Sequence, residues 1–369
     1  MMSVGIDARM IRHTGIGTYV RGLLEAWKDK PREEMPVLFG DRDLCWKDAA
    51  GFEAVRFNAP IYSLQEQVCY PFLLKKCGLW HAPHYNVPLF KPSRTRLVVT
   101  VHDLIHWIFR KQFFSPLQAG YAQTFLKQAV RCSDHILTVS ENTKRDLTEY
   151  FGADPGRITV TYEAVSPVFQ PLKDPDFAST VKQKYGLPGS YFLYVGSLKP
   201  HKNVLWLIRV FHRLKAERKI QASLVLVGRK DKRYPAGYEE LAAFRDGEGL
   251  FHRPSVTDQD LTALYNGAIA LIHPSLYEGF GLTLLEAMAC GTPVAAFRVA
   301  SIPEVTGNAA CLLEPSDEKA LYQVLSRLET DPGFRQELSA KGLAQAARFS
   351  WQKTADQTWK VYEKVARDS

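Results

Sequence analysis

The chain has 369 residues, enough for two domains of ordinary size. Hydrophobic residues make up 46% and charged residues 23%, the composition of a globular protein. The net charge of +8 comes without a Lys/Arg block, a zinc-finger spacing or an RNP-like motif, which argues against nucleic acid and for phosphorylated small molecules or anionic lipid as partners. No long uncharged apolar run occurs, so no transmembrane helix is expected. Met1-Met2-Ser3-Val4-Gly5-Ile6 reads as the approach to a first strand rather than as a signal peptide, and the expected location is the cytoplasm, with the inner face of the membrane as an extension of it. None of the six cysteines is spaced as C-x-x-C or sits in a metal pattern, so buried reduced thiols are expected.

In chain order, the first half alternates short β-branched apolar runs with segments of helical period, the pattern of parallel sheets faced by helices. The strands predicted are Ser3–Ala8, Pro36–Phe39, Gly78–His81, Arg96–Val101 and His135–Val139. Between the first two, Thr18–Lys28 is a predicted helix with Val20, Leu23, Leu24 and Trp27 on one stripe. Pro167–Pro188, rich in Pro, Asp and Lys, reads as a linker. A second series follows: strand Tyr191–Val195, a helix with Val204, Leu207, Ile208 and Phe211 buried, strand Ser223–Val227, and a helix around Tyr238–Phe244. It continues with helix Asp258–Asn266, entered through Thr257 and Asp260 as a capping-box-like start, and strand Ala268–Ile272. Helix Thr283–Cys290, closed by Gly291, and strand Pro293–Phe297 complete it, and Trp351–Val365 is a last amphipathic helix. The expected fold is α/β, with two Rossmann-like domains, residues 1–170 and 188–350, facing across a cleft that binds ligand at the carboxyl ends of the strands.

Four segments carry candidate chemistry. Thr14-Gly15-Ile16-Gly17-Thr18 joins the first strand to the first helix but is neither a full G-x-G-x-x-G nor a Walker A loop. His102 and Asp103 end a buried strand, and His81-Ala82-Pro83-His84-Tyr85-Asn86 ends another. In Gly196-Ser197-Leu198-Lys199-Pro200-His201-Lys202-Asn203, Lys202 precedes a helix start, where an ammonium can reach a diphosphate. In Glu278-Gly279-Phe280-Gly281-Leu282, the glycines let backbone N–H groups approach an anion at a helix N-terminus, and Glu286 follows on the helix. Carboxylates beside an anion site suit hydroxyl binding, as a sugar and a ribose require.

The run Pro-Ser-x-Tyr-Glu-Gly-Phe-Gly-Leu-x-x-Leu-Glu-Ala-Met-Ala-x-Gly-x-Pro-Val, from Pro274 to Val294, resembles the E-x7-E signature of the family 4 retaining glycosyltransferases. The resemblance implies the GT-B fold, a nucleotide-sugar donor, a glycan or lipid-linked acceptor, and no cofactor or metal. By the same resemblance, Glu278 binds hydroxyls of the transferred sugar and the amides from Gly279 to Leu282 contact sugar and diphosphate. Glu286 holds the ribose, Lys202 neutralises the leaving diphosphate, and His102 lies near the reacting centre. It further implies that the Gly15–Gly17 loop faces the donor and that the helix 351–369 packs back on the first domain. Ser197 stands where many relatives carry Arg, and the Ser-x-x-Pro-x-Lys-Asn ending, through Asn203, is similar to a mannosyltransferase subgroup, which favours GDP-mannose. The competing readings are a UDP-sugar transferase, a nucleotide-sugar epimerase of the same fold, and a catalytically silent sugar-nucleotide-binding subunit.

The D-x-D triplets Asp41–Asp43, Asp174–Asp176 and Asp258–Asp260 fall in a loop, the linker and a helix start, and no metal role is expected for them. Phe109-Arg110-Lys111-Gln112-Phe113-Phe114 alternates aromatic and basic residues, an expectation of peripheral membrane contact.

Overall fold

The computed structural model describes residues 3–41, 49–92, 94–231 and 249–367. The predicted helix around Tyr238–Phe244, together with Asp43 and Cys45, lies outside the described residues. The chain divides into two compact units, residues 1–164 with 350–369, and residues 165–349.

Unit 1 is built on a seven-stranded parallel sheet in the order β3-β2-β1-β4-β5-β6-β7. Its strands are β1 (Val4–Asp7), β2 (Val37–Gly40), β3 (Ala54–Arg56), β4 (Leu79–Ala82), β5 (Arg96–Val101), β6 (His135–Thr138) and β7 (Ile158–Val160). The central strands are buried along their whole length, as strands covered by helices on both faces must be. The helices are α1 (Ile16–Trp27), α2 (Leu64–Leu74), α3 (Ile105–Ile108), α4 (Pro116–Cys132) and α5 (Glu141–Phe151). The predicted stripe of α1 is buried, with Trp27 fully enclosed.

Unit 2 has a six-stranded parallel sheet in the order β10-β9-β8-β11-β12-β13. The strands are β8 (Tyr191–Val195), β9 (Ser223–Val227), β10 (Leu250–Arg253), β11 (Leu271–His273), β12 (Val294–Phe297) and β13 (Cys311–Leu313). The helices are α6 (Pro175–Lys184), α7 (Val204–Ala216), α8 (Asp258–Gly267), α9 (Leu282–Ala289), α10 (Ile302–Thr306), α11 (Glu318–Thr330) and α12 (Pro332–Ala346). Val204, Leu207, Ile208 and Phe211 all enter the core of this unit. The final helix α13 (Trp351–Arg367) belongs to unit 1. There the ring of Trp351 fills the space over Gly22, and Trp27 meets Trp359 edge-on at 5.7 Å.

The expected linker is corrected in part, because Pro175–Lys184 within it is a helix. Asp174 caps that helix through the Asp176 N–H, and Pro175 occupies its first turn. The same Asp-Pro pair that reads as loop composition is a helix-start signal. The short strands β3, β7, β10 and β13 were not predicted, since three or four residues carry too little periodicity.

In each sheet the strand order reverses once, between β1 and β4 in unit 1 and between β8 and β11 in unit 2. The loops leaving such neighbouring strands in opposite directions open a crevice at their carboxyl ends. In unit 2 those are the loops 196–203 and 274–281, the two segments singled out for phosphate and sugar chemistry.

Candidate functional site

In unit 2 the two loops are stitched together by the Leu276 N–H, which donates to His201 O at 2.8 Å. Glu278 leaves β11 buried, and its Oε1 accepts from Lys202 Nζ at 2.6 Å and from His273 Nε2 at 2.8 Å. Burial alone would raise the pKa of this carboxyl. The Lys202 ammonium and the His273 hydrogen bond outweigh it and hold the group well below the usual carboxylate range. Glu278 is therefore an ionised acceptor in a site that excludes most water.

The loop around it is fixed from behind. Ser301, fully buried, has its Oγ 2.9 Å from both Glu278 O and Phe280 O. Phe280 packs edge-on against Phe349 at 5.7 Å. Gly281, the N-cap of α9, has φ 106°, a conformation that side-chain-bearing residues avoid. It turns the chain so that the first amides of α9, from Leu282 onward, open toward the loop, where a helix leaves its N–H groups without internal partners.

Lys202 sits in the turn Pro200–Lys202, and Asn203, left-handed at φ 53°, starts α7. Two buried polar atoms here, Asn203 Nδ2 and Ser275 Oγ, have no hydrogen-bond partner among the described residues. Unsatisfied buried donors are costly, and in a ligand crevice they mark where a ligand atom completes the count. Ser197 keeps its carbonyl on the Tyr194 hydroxyl at 3.0 Å. The Leu198 N–H donates to the main-chain Arg229 O at 3.2 Å, and Arg229 is exposed.

Glu286 lies one helix turn into α9 and has a different partner from Glu278. Its Oε2 accepts from the Tyr265 hydroxyl at 2.8 Å. Burial pushes its pKa up to about 7, against the Tyr265 hydrogen bond and with help from Asp258. One motif thus presents two glutamates with opposite electrostatic fates.

In unit 1, His102 follows β5. Nε2 donates to Pro83 O at 3.0 Å, and Nδ1 lies 3.3 Å from Glu163 Oε1. Tyr19 meets the ring edge-on at 5.0 Å. Asp103, the next residue, turns its carboxylate to the chain after it and accepts from the Ile105 N–H at 2.9 Å. The carboxylate beside His102 is Glu163, from just beyond β7, which no local pattern marks. His81 belongs to the core: its nitrogens are tied to Thr100 and Tyr362, and burial lowers its pKa to about 3. Gly15 is left-handed at φ 73° and begins α1, and a Cβ at Gly17 would lie 2.4 Å from Ile11 O, so only glycine admits that close turn.

The Asp174 and Asp260 carboxylates of the D-x-D triplets serve helix α6, the first as its cap and the second paired with Lys184 and Tyr185 at 2.8 and 2.7 Å. Among the described residues, no group of three His, Cys, Asp or Glu side chains is arranged to hold a metal ion. No helix of the described residues is long and apolar enough to cross a membrane. In the Phe109–Phe114 segment, Phe109 is buried and stacks on Phe113 at 5.0 Å, while Phe114 stacks on His106 at 4.5 Å. Phe113 and Phe114 are half-buried.

Residues 179–366 match the family model described as "Glycosyl transferases group 1", and residues 52–168 match that described as "Glycosyltransferase Family 4". Among curated proteins, the chain is 33% identical over 293 residues to the O-antigen chain mannosyltransferase B of Escherichia coli, covering 77% of this chain and 74% of that one. It is 31% identical over 280 residues to the serotype-specific mannosyltransferase WbdA of Escherichia coli, covering 74% of this chain and 33% of that longer one. Among solved structures, Anabaena Alr3699/HepE in complex with UDP and glucose aligns with a TM-score of 0.79 at 16% identity, over 99% of this chain and all of that one. WaaG, a glycosyltransferase involved in lipopolysaccharide biosynthesis, aligns with a TM-score of 0.74 at 16% identity, over 97% of this chain and 99% of that one. These structural likenesses show the fold, the GT-B architecture.

Proposed function

This chain belongs to the group 1, family 4 glycosyl transferases, and from that premise we propose that it moves a mannosyl residue from GDP-mannose to a glycan or lipid-linked acceptor in the cytoplasm, with retention and without a metal. That it is a glycosyltransferase follows from the family; the donor, acceptor and stereochemistry are our reading. The observation that carries it is the Lys202–Glu278–His273 constellation at the topological switch point of the second sheet. The mannosyltransferase relatives support the choice of sugar.

The chemistry assigned to the site is electrostatic. Breaking the bond between sugar and diphosphate leaves positive charge on the sugar ring and negative charge on the departing oxygen. An ammonium has three N–H donors, and Lys202 spends one on Glu278, so two remain for phosphate oxygens. The amides from Gly279 to Leu282 and the start of α7 at Asn203 add preorganised positive dipole ends. Glu278, kept ionised, accepts from sugar hydroxyls and lies close to the developing positive charge. Glu286 accepts from ribose hydroxyls. To Arg229, whose main chain is bonded to Leu198 beside Ser197, we assign the charge that Ser197 lacks. For unit 1, the family resemblance implies roles for Gly15, Gly17 and His102 in holding the sugar.

The test is direct. The purified protein is offered a panel of nucleotide sugars, and melting temperature and nucleoside diphosphate release are followed. GDP-mannose should stabilise most by mass action, and the product anomer should match the donor's by NMR. Stabilisation by a UDP-sugar alone, or an inverted anomer, would replace this reading with another of the same family.

A further inference from the structure

We propose that one face of unit 1, formed by the outer stripe of α2, the loop Val87–Lys91 and the flank of α4, docks on an anionic lipid bilayer. The observation is an exposed apolar surface that the core does not explain. On α2, Leu64, Val68 and Phe72 recur every fourth residue, the spacing of one helix face, and are 86%, 66% and 69% exposed. Phe90 is 79% exposed and Leu117, at the start of α4, 85%. Soluble monomers show single exposed apolar residues routinely, but a grouped set of large ones marks a contact surface.

These residues belong to neighbouring pieces of one surface. Gln67 of α2 accepts from the Leu89 N–H at 2.9 Å, and Gln128 of α4 donates to Leu89 O at 2.9 Å, so the loop is strapped between the two helices. Farther along, the Thr95 hydroxyl donates to Leu74 O at 2.9 Å and holds the loop's other end to the end of α2.

The charge of this face selects the occupant. Across residues 64–76, 87–96 and 116–132 the one acid is Glu66, and Glu66 is fully buried against Arg9. The cations Lys75 and Lys76 end α2, Arg94 sits in the loop, and Lys127 and Arg131 lie on α4, all exposed. Beside Phe90 a recess of about 570 Å³ is lined by Lys91, Arg131 and Arg157, with Asp134 as its acid. An apolar stripe that can enter the acyl boundary, rimmed by cations at headgroup level, is the pattern of an interfacial element rather than of a protein partner's polar rim. Within it Lys91 pairs with Asp134 at 2.6 Å and Arg157 donates to the Ser133 carbonyl, while Arg131 is exposed, so a net positive charge faces an anionic headgroup. Phe113 and Phe114, read from the sequence for membrane contact, are half-buried, and the exposed stripe that carries this proposal is that of α2 and its loop.

The experiment uses the full chain and vesicles, and needs neither donor nor acceptor, so it stands or falls apart from the sugar chemistry. The protein is sedimented with vesicles of phosphatidylcholine alone and of phosphatidylcholine with phosphatidylglycerol in equal parts, at low and at raised salt. Binding is expected to the mixed vesicles, to weaken with salt, and to be near absent on phosphatidylcholine. Phe72→Asp and Phe90→Asp, at exposed positions that leave melting temperature unchanged, should each cut partitioning at least tenfold. Arg131→Gln should cut it about fivefold, the worth of one cation near an anionic surface. Equal binding to both vesicle types, no binding to either at low salt, or unchanged binding by the aspartate variants would overturn the proposal. So would a concentration-dependent dimer in sedimentation velocity that Phe72→Asp dissociates while the monomer ignores vesicles, since the face would then belong to a second copy.

Discussion

Both units place a histidine beside a glutamate at the carboxyl end of their sheet, and the two pairs are built differently. In unit 2, Glu278 meets His273 at 2.8 Å and also Lys202 at 2.6 Å. In unit 1, Glu163 lies 3.3 Å from His102, whose other nitrogen donates to a carbonyl, and Glu163 Oε1 has no hydrogen-bond partner among the described residues. The Lys202 ammonium, with His273, holds Glu278 well below the usual carboxylate range. Among the described residues, Glu163 has no cation beside it other than the His102 ring. The comparison teaches that the same two residue types give a fixed charge where a lysine joins them, and a ring held between a carbonyl and a carboxylate where no lysine does.

The largest expected effect tests the fixed charge. Lys202→Met and Glu278→Gln should each lower kcat about 10²–10³-fold, the usual loss for one group that meets developing charge. Lys202→Met also strands a buried carboxylate, which costs up to about 3–5 kcal/mol of stability. The double variant should regain much of that stability and none of the activity, measured by denaturant unfolding beside turnover. Near-normal turnover in either single variant would end the assignment.

Next is the pair in unit 1. Glu163→Gln should lower kcat about tenfold, because the carboxylate beside the ring no longer orients His102. Unchanged turnover in the purified variant would mean that Glu163 only braces the strand end.

Glu286 sharpens the contrast between the two glutamates of one motif. Its pKa near 7 is raised above the unfolded value, so its stabilising contribution is full below about pH 4.3 and is lost as pH rises through 7. Because the side chain keeps some exposure, the effect stays below about 3 kcal/mol. Glu286→Gln should therefore gain melting temperature relative to the parent at pH 8 more than at pH 5. A ribose hydroxyl donates best to the ionised form, so nucleotide affinity by calorimetry should fall up to about tenfold for each unit below pH 7, and be flat in Glu286→Gln. The smallest effect is that of Tyr265→Phe. It removes the hydrogen bond that draws the Glu286 pKa down and should weaken nucleotide binding at neutral pH about two- to fivefold, the worth of one hydrogen bond.

What the amino-acid order alone determined is whatever is local or densely patterned. It set the alternation of strands and helices, the buried stripes of α1 and α7, the Gly281 turn and the spacing of Glu278 and Glu286, because backbone sterics and side-chain period act over a few residues. Only the tertiary structure decided who stands beside whom. Glu163 rather than Asp103 beside His102, Tyr265 on Glu286, Ser301 behind the Glu278 loop, and the exposure of α2's stripe all depend on which strands lie side by side. Periodicity says that a residue is apolar or turned inward, but the order of strands in a sheet is settled by packing between distant segments, and an apolar stripe on a helix looks the same in sequence whether a core or a membrane will cover it.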